Sequence, residues 1–435
     1  DTLFAGKTSC IRRMHALCDS VIVIDEVQTV PNEMLSLFNT AVNFLSEVCG
    51  ATIVLCSATQ PCLEQTAHPI TENMKDIVPF DEELWRVFRR TQIIDKGGMR
   101  LDAIPAFIAE QLDRTDSLLV ICNLKKQAAY LFTEMKLENT VIFHLSAGMC
   151  MAHRMTVISE INSALERKRK NPDAPKVVCI STQVIEAGVD VSFGCVIRLC
   201  AGLDSVIQAA GRCNRNGELN GAADVFIINC RGEDLGMLRS IKDGKMACMS
   251  LLSDCKYHPE KYPSGLTSDE AVYAYYKKLY IQSDIGAQDM PIKIDGSPFT
   301  LFDLLSLDRT FANAPYLKAN GEKYALTQAF KTAGSRFTVF GSRTTDVIVP
   351  YGEGKEIIAE LGSKRAEEDI KYLKKLIKKA RAYTVSLYEN QRRALADSGA
   401  LHPIADGIAL ALSEEFYNED FGLNLDGESR EAITL

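Results

Sequence analysis

Five short apolar runs constrain this chain more than any other feature. They read "SLLVICN", "TVIFHLS", "PKVVCIST", "CVIRLC" and "ADVFIIN". Runs of this length, rich in Val and Ile and apolar on both faces, describe strands buried on two sides. Helices are expected between them, starting at Leu124 and at Ala152. Strand and helix in alternation predict an α/β fold with a doubly wound parallel sheet.

A similar pattern stands upstream. "SVIVIDE" and "ATIVLCSAT" read as two more buried strands. Between them Met34, Phe38, Ala41, Leu45 and Val48 recur at helical spacing, and Gly50 marks the stop. Two α/β lobes in series follow, the first incomplete. "KGGM" (Lys96 to Met99) reads as the connector between them. The expected organisation is a first lobe over 1–95, a second over 96–231, a helical linker over 232–334 and a small α+β domain over 335–435. In the last, "RFTVFGSRTTDVIVPYGEG" precedes a charged helix running from "AEEDIKYLKK" to "ALADSG", whose lysines are expected to face water.

Composition narrows the class. The chain has 435 residues, 46% of them apolar and 24% charged, with a net charge of −8. That fits a globular protein with a real core and excludes a globally basic coat for nucleic acid, though not a local positive channel. No apolar run approaches the ~20 residues that span a bilayer. No membrane partner and a cytoplasmic location are expected. The fourteen cysteines lie mostly within apolar stretches, with no C-x-x-C pair. They read as buried reduced thiols.

The chemistry sits where strands end. Asp25 and Glu26 close the first apolar run. One carboxylate there suits the Mg²⁺ that bridges a triphosphate, and the next suits a general base for water. Ser57 and Thr59 end the following strand and are placed to bond that acidic pair. "STQVIEAGVDVSF" supplies Thr182, Glu186, Gly188 and Asp190; Gly188 suits a tight turn. "QAAGRCNRNGE" supplies Gln208, Arg212 and Arg215. The two guanidiniums are permanent, forked cations suited to a developing phosphate charge.

In this order "DEVQ", "SATQP", "STQVIEAGVDVSF" and "QAAGRCNRNG" resemble motifs II, III, V and VI of superfamily 2 helicases. Gln28 stands where many of these enzymes have His. That detail and the tail "VIVPYGEGKEII" resemble the CRISPR-associated helicase-nuclease of type I systems. The resemblance implies two RecA-like lobes with ATP and Mg²⁺ between them. It implies Asp25 as metal and nucleotide ligand, and Glu26, Gln208, Arg212 and Arg215 as catalytic residues. Ser57, Thr59, Gly188 and Asp190 would serve the nucleotide site. Thr182, Asn123 and Ser146 would touch single-stranded DNA, and a type I surveillance complex would recruit the enzyme. Other readings remain: another superfamily 2 RNA or DNA helicase, or a non-hydrolysing nucleic-acid-binding module.

"AGKTS" near the start looks like a phosphate loop. It lacks the required G-x-x-x-x-G-K-[ST] pattern, because five positions before Gly6 stands Asp1. Lys7 is therefore expected to be a surface lysine near a helix. The phosphate loop and the histidine-aspartate nuclease domain of the family are expected on sequence further upstream. None of the six histidines sits in an "HD" pair.

Overall fold

The computed structural model describes residues 2–71, 74–78, 89–236, 238–281, 286–306, 321, 328–339 and 344–425. Part of the expected linker between the second lobe and the tail, 307–320 and 322–327, lies outside the described residues. The chain divides into two compact units that interleave in sequence. Unit 1 comprises Asp1–Asp81, Gly202–Ile207 and Leu235–Gly341; unit 2 comprises Glu82–Ala201, Gln208–Asp234 and Ser342–Leu435.

In unit 1, β1 (Val21–Ile24) and β2 (Thr52–Leu55) pair in parallel, Val21 opposite Thr52 and Ile24 opposite Leu55. The helix Leu35–Glu47 joins them and buries Leu35, Leu37, Val42 and Leu45. Val48, the last of the apolar residues at helical spacing, is exposed. The apolar runs predict buried strands, and here the structure differs. Val21 is 71% and Val23 62% exposed, because among the described residues this sheet has only two strands. The helices Arg239–Tyr257 and Asp269–Ile281 pack together in the same unit. Gly244 makes a close approach possible: a Cβ there would lie 3.1 Å from Gly202 Cα. The expected helical stretch also contains a hairpin, β9 (Pro291–Ile294) and β10 (Ser297–Thr300), which periodicity alone does not reveal.

Unit 2 is built on six parallel strands in the order β3-β8-β7-β4-β6-β5. They are β3 (Thr91–Arg100), β4 (Ser117–Ile121), β5 (Thr140–Leu145), β6 (Lys176–Ser181), β7 (Cys195–Leu199) and β8 (Ala223–Arg231). The expected apolar runs supply β4 to β8. Helices Ile104–Leu112, Lys125–Glu134 and Met151–Lys170 cover the sheet. Leu119, Ile121, Val177 and Val196 face one core layer; Leu118, Val120, Val178 and Ile197 face the other.

The "KGGM" connector is instead part of an edge strand. β3 runs straight through it beside β8, with a register shift between Asp95 and Gly98 and with Gly97 at φ +68°. Glycine there permits a bulge in a strand rather than a break between lobes.

The tail folds on this same unit. Its four-stranded sheet has the order β12-β11-β14-β13, formed by β11 (Thr344–Ile348), β12 (Thr384–Tyr388), β13 (Leu401–Ile404) and β14 (Ala409–Leu412). The expected single charged helix is instead the end of the helix Lys364–Glu368, the helix Ile370–Ala380, a 3₁₀ turn Arg381–Tyr383, β12 and the helix Glu389–Asp397. In "TVSLY" Val385 and Leu387 are buried while Ser386 and Tyr388 are exposed, the two-residue alternation of a strand. Lys371, Lys374, Lys375, Lys378 and Lys379 are exposed, and Leu376 and Ala380 are buried.

Two buried histidines fasten the tail to the six-stranded sheet. His153 Nε2 donates to the Glu419 carbonyl at 2.9 Å, and its Nδ1 accepts from the Tyr417 hydroxyl at 3.0 Å. Tyr417 in turn accepts from the Cys150 N–H at 3.0 Å. His144 Nδ1 donates to the Asp420 carbonyl at 2.9 Å. Gly148 and Gly422 meet backbone to backbone; a Cβ on Gly422 would stand 2.4 Å from the Gly148 oxygen.

Candidate functional site

The acidic pair follows the carboxyl end of β1. Asp25 is exposed and Glu26 half-buried. Asp25 Oδ1 accepts the Glu26 N–H at 2.9 Å, and Glu26 adopts a left-handed backbone at φ +53°. A non-glycine residue held there costs energy, and such positions cluster at functional sites. The turn is anchored by Val27, which is buried and donates its N–H to the Cys56 carbonyl at 3.1 Å.

Gln28 binds this turn to the end of β2. Its amide donates to the Glu26 carboxylate, and its carbonyl accepts from the Ser57 hydroxyl at 2.5 Å. Ser57 Oγ also accepts the Thr59 N–H at 3.1 Å. Buried Thr59 then meets the Tyr276 hydroxyl at 3.1 Å. So the structure brings Glu26, Ser57 and Thr59 into one hydrogen-bonded chain. The residue that links them, Gln28, is visible in the sequence only as a departure from a motif. Tyr276 gives no signal beyond the tyrosine-rich character of its helix. Its neighbour Tyr275 donates to Asp204 at 2.9 Å, at the start of the helix Leu203–Ala210 that carries Gln208. Burial among apolar neighbours pushes both phenols far above their ordinary range.

In unit 2 the two arginines grip the turn after β6. Arg212 is buried, with Nε donating to the Ile185 carbonyl at 3.0 Å and Nη2 to the Glu186 carbonyl at 2.5 Å. Arg215 is part-exposed and pairs with the Asp190 carboxylate at 3.0 Å. Gly188, between these contacts, is exposed at φ +69° with open space around it. The expected nucleotide-site residues Gly188 and Asp190 and the expected catalytic arginines thus form one interlocked turn. Gln208 lies half-buried just before it.

Asn123, Ser146 and Thr182 all fall just beyond the carboxyl ends of their strands, and all are buried. Ser146 Oγ accepts the Gly148 N–H at 3.2 Å. Asn123 is engaged on both sides: its Oδ1 accepts from Arg198 Nη1 at 2.7 Å, and its Nδ2 donates to Glu233 and to the Cys200 carbonyl, each at 3.0 Å. Arg198 is wholly buried and paired with Glu186 at 2.7 Å. An arginine inside the apolar run "CVIRLC" is the sequence signal for this buried network. In this arrangement Asn123 positions neighbours and offers little of itself to a strand of DNA.

"AGKTS" is not a phosphate cradle. Lys7 is exposed and precedes a four-residue helix, Thr8–Ile11. Gly6 instead packs on Gly334, donating its N–H to the Gly334 carbonyl at 3.2 Å. A Cβ on Gly334 would lie 2.6 Å from Gly6 Cα, so both glycines serve contact between segments.

The thiols divide by location. Burial raises Cys62 and Cys195 to about 12, and Cys122, Cys179 and Cys213 further still. Cys10, Cys18, Cys49, Cys56 and Cys255 are not buried, contrary to the reading of inert core thiols. Among the described residues no group of three or more His, Cys, Asp or Glu is placed to hold a metal. No described helix is long and apolar enough to cross a membrane.

Residues 114–218 match a family model described as CRISPR-associated nuclease/helicase Cas3, C-terminal. The chain is 25% identical over 219 residues to the Cas3 of Methanothermobacter thermautotrophicus, an alignment covering 45% of this chain and 24% of that protein. A 41-residue segment is 66% identical to the Cas3 of Haloferax volcanii, covering 9% of this chain and 4% of that protein. Two T. fusca Cas3 crystal structures share the fold. The AMPPNP complex has a TM-score of 0.58 at 14% identity over 97% of this chain and 54% of that one. The ATP complex has a TM-score of 0.55 at 15% identity over 95% and 52%. The chain therefore spans about half the length of the solved relatives, and its alignments cover less of the curated ones. The family model matches residues 114–218, and the solved Cas3 structures share the fold, so the chain is similar to the CRISPR-associated Cas3 helicase-nucleases in motif order and architecture.

Proposed function

We propose that this chain is part of an ATP-driven motor that moves along single-stranded DNA and unwinds it for degradation in CRISPR antiviral defence. The observation that carries the reading is the hydrogen-bonded chain from Glu26 through Gln28 to Ser57 and Thr59. A carboxylate steered by a relay to the next strand is what a water-activating base needs, since geometry precedes acidity in such a group. Asp25 fits Mg²⁺: it is a hard oxygen donor, exposed, and one such carboxylate plus phosphates is the ordinary way a protein holds that ion. When bound, the ion would neutralise charge on the phosphates.

Each residue then has a task. Glu26 takes the proton of the attacking water. Gln28 holds Glu26 in register with Ser57, so a shift at the end of β2 moves the base. Arg212 and Arg215 supply positive charge for the phosphoryl group, Arg212 after releasing the Ile185 and Glu186 carbonyls. Gln208, Gly188 and Asp190 shape the nucleotide side of that turn. Thr182, Asn123 and Ser146 set the strand edge along which DNA passes, Asn123 chiefly by positioning. Recruitment by a type I surveillance complex belongs to the same reading and rests on the resemblance to that family.

The test is nucleotide turnover in a polypeptide that also supplies a G-x-x-x-x-G-K-[ST] loop. Single-stranded DNA should stimulate ATP hydrolysis, and Glu26→Gln should retain ATP binding while stopping turnover. Normal turnover in that variant removes Glu26 as the base. Stimulation by single-stranded RNA alone would favour an RNA helicase of the same superfamily.

A further inference from the structure

At the amino ends of β1 and β2 two cysteines stand side by side. The ladder pairs residues 31 positions apart, Val21 with Thr52 through Ile24 with Leu55, and the same offset pairs Cys18 with Cys49. The pairing persists below the ladder. Asp19 donates its N–H to the Cys49 carbonyl at 2.9 Å, and Thr52 donates to the Ser20 carbonyl at 2.9 Å. Asp19 and Gly50 both take a left-handed backbone, at φ +50° and +65°, so the two segments turn together. A Cβ on Gly50 would meet Asp19 Oδ1 at 2.7 Å, a direct measure of how closely they run.

We propose that Cys18 and Cys49 form a reversible disulfide by exchange with a low-molecular-weight disulfide such as oxidised glutathione. Neighbouring strands lie about 4.8 Å apart, inside the roughly 4.4–6.8 Å between Cα atoms that a disulfide needs. Both thiols are reachable, Cys18 exposed and Cys49 half-buried, unlike the core thiols of unit 2. The Cys18 thiol is also within hydrogen-bonding reach of Cys49 and helps hold it protonated, second to burial.

The exchange balances. The Cys18 thiolate attacks one sulfur of the soluble disulfide, forming a mixed disulfide and releasing one thiolate. The Cys49 thiolate then attacks Cys18 Sγ and releases the second. Two protein thiols are oxidised, one soluble disulfide is reduced to two thiols, and the two protons go to the leaving thiolates. The bond staples the start of β1 to the start of β2, the two strands whose far ends carry Asp25–Glu26 and Ser57–Thr59. It would hold those ends in register, whichever reaction they serve.

The experiment treats the native purified chain with oxidised glutathione, blocks free thiols, and cleaves after glutamate without reduction. Glu26, Glu33 and Glu47 lie between the two cysteines, so their peptides stay joined only through a disulfide. Most of Cys18 is expected in a peptide joined to Cys49, identified by fragmentation and released by reductant. Cys18→Ser and Cys49→Ser should each abolish the joined species, and Cys56→Ser should leave it intact. Circular dichroism of each variant confirms that the fold persists. Recovery of Cys18 as a blocked thiol or a stable mixed disulfide, with Cys49 unlinked, overturns the proposal. So does a link from Cys18 to Cys56 or Cys62 in the native protein.

Discussion

Arg212 donates its Nε–H to the carbonyl oxygen of Ile185 at 3.0 Å, from a position only 7% exposed. The guanidinium thus does two jobs at once: it closes the turn after β6, and it stores a positive charge at the edge of the sheet. Arg212→Ala removes two charge-assisted hydrogen bonds and leaves their carbonyls unpaired, a loss of about 2–4 kcal/mol. We expect a lower urea midpoint for the chain, with Arg212→Lys restoring only part, because an ammonium lacks the fork. An unchanged midpoint would mean that these bonds contribute nothing to the fold. In a polypeptide that also supplies a phosphate loop, the same alanine should slow ATP hydrolysis by about 10³-fold or more if Arg212 serves the phosphoryl group as proposed.

The buried pair of Arg198 and Glu186 predicts a non-additive cycle. Arg198→Met strands a buried carboxylate and should cost about 3–5 kcal/mol. Adding Glu186→Leu removes that stranded charge, so the double variant should be more stable than Arg198→Met alone. Urea unfolding of the two singles and the double measures the coupling. Simple additivity would show that the two charges do not sense each other.

Gln28 is the point at which the acidic turn communicates with β2. Gln28→Leu keeps the size and removes both hydrogen bonds, so Glu26 loses its guide. In a polypeptide with a phosphate loop, ATP turnover should fall about tenfold, equivalent to ~1.4 kcal/mol, with ATP binding retained. Equal turnover in wild type and Gln28→Leu would reduce the relay to a structural contact. Residues 1–435 alone should hydrolyse ATP little, and Lys7→Ala should change nothing.

The histidines under the tail make the fold sensitive to acid. Burial lowers His144 to about 4 and also lowers His153. His144 Nε2 has no hydrogen-bond partner among the described residues, so a proton added there would be buried and unpaired. The unfolded chain titrates near 6.5. The neutral forms therefore contribute stability in full above about pH 6.5, and it is lost as pH falls toward about 4. For His144 the swing is on the order of 3 kcal/mol. Melting of His144→Gln and wild type should diverge at neutral pH and converge at pH 4.5. Parallel curves would assign the acid sensitivity elsewhere.

The sequence is most readable where physical constraints are strongest. Strands β4 to β8 are sandwiched between layers, so each is a continuous apolar run, and their ends locate Asn123, Ser146 and Thr182. Elements whose apolar pattern is interrupted are less readable. Glycines that bulge β3 look like a linker, and β12 hides between two lysine- and arginine-rich helices because only Val385 and Leu387 face inward. Asp25, Glu26 and Ser57 in unit 1 and the two arginines in unit 2 can be named as candidates from residue type and order. Their neighbours cannot. Arg198 shows in its apolar run, but its partner Asn123, 75 residues away, does not, and Tyr276 matters through Thr59, 217 residues away, which no local pattern encodes.

Unit 1 closes only when its first 81 residues meet the stretch that begins at Leu235. On a ribosome the early segment must therefore wait while roughly 150 residues emerge, about 8–30 s at ordinary elongation rates. During that interval Leu37 stands in water without Met290, Leu301 and Leu304, the later residues that bury it, and is a natural target for chaperones. Nor will any single cut in the gene deliver either unit whole: a fragment ending at 231 would carry the acidic turn without Tyr276, the tyrosine that steadies it.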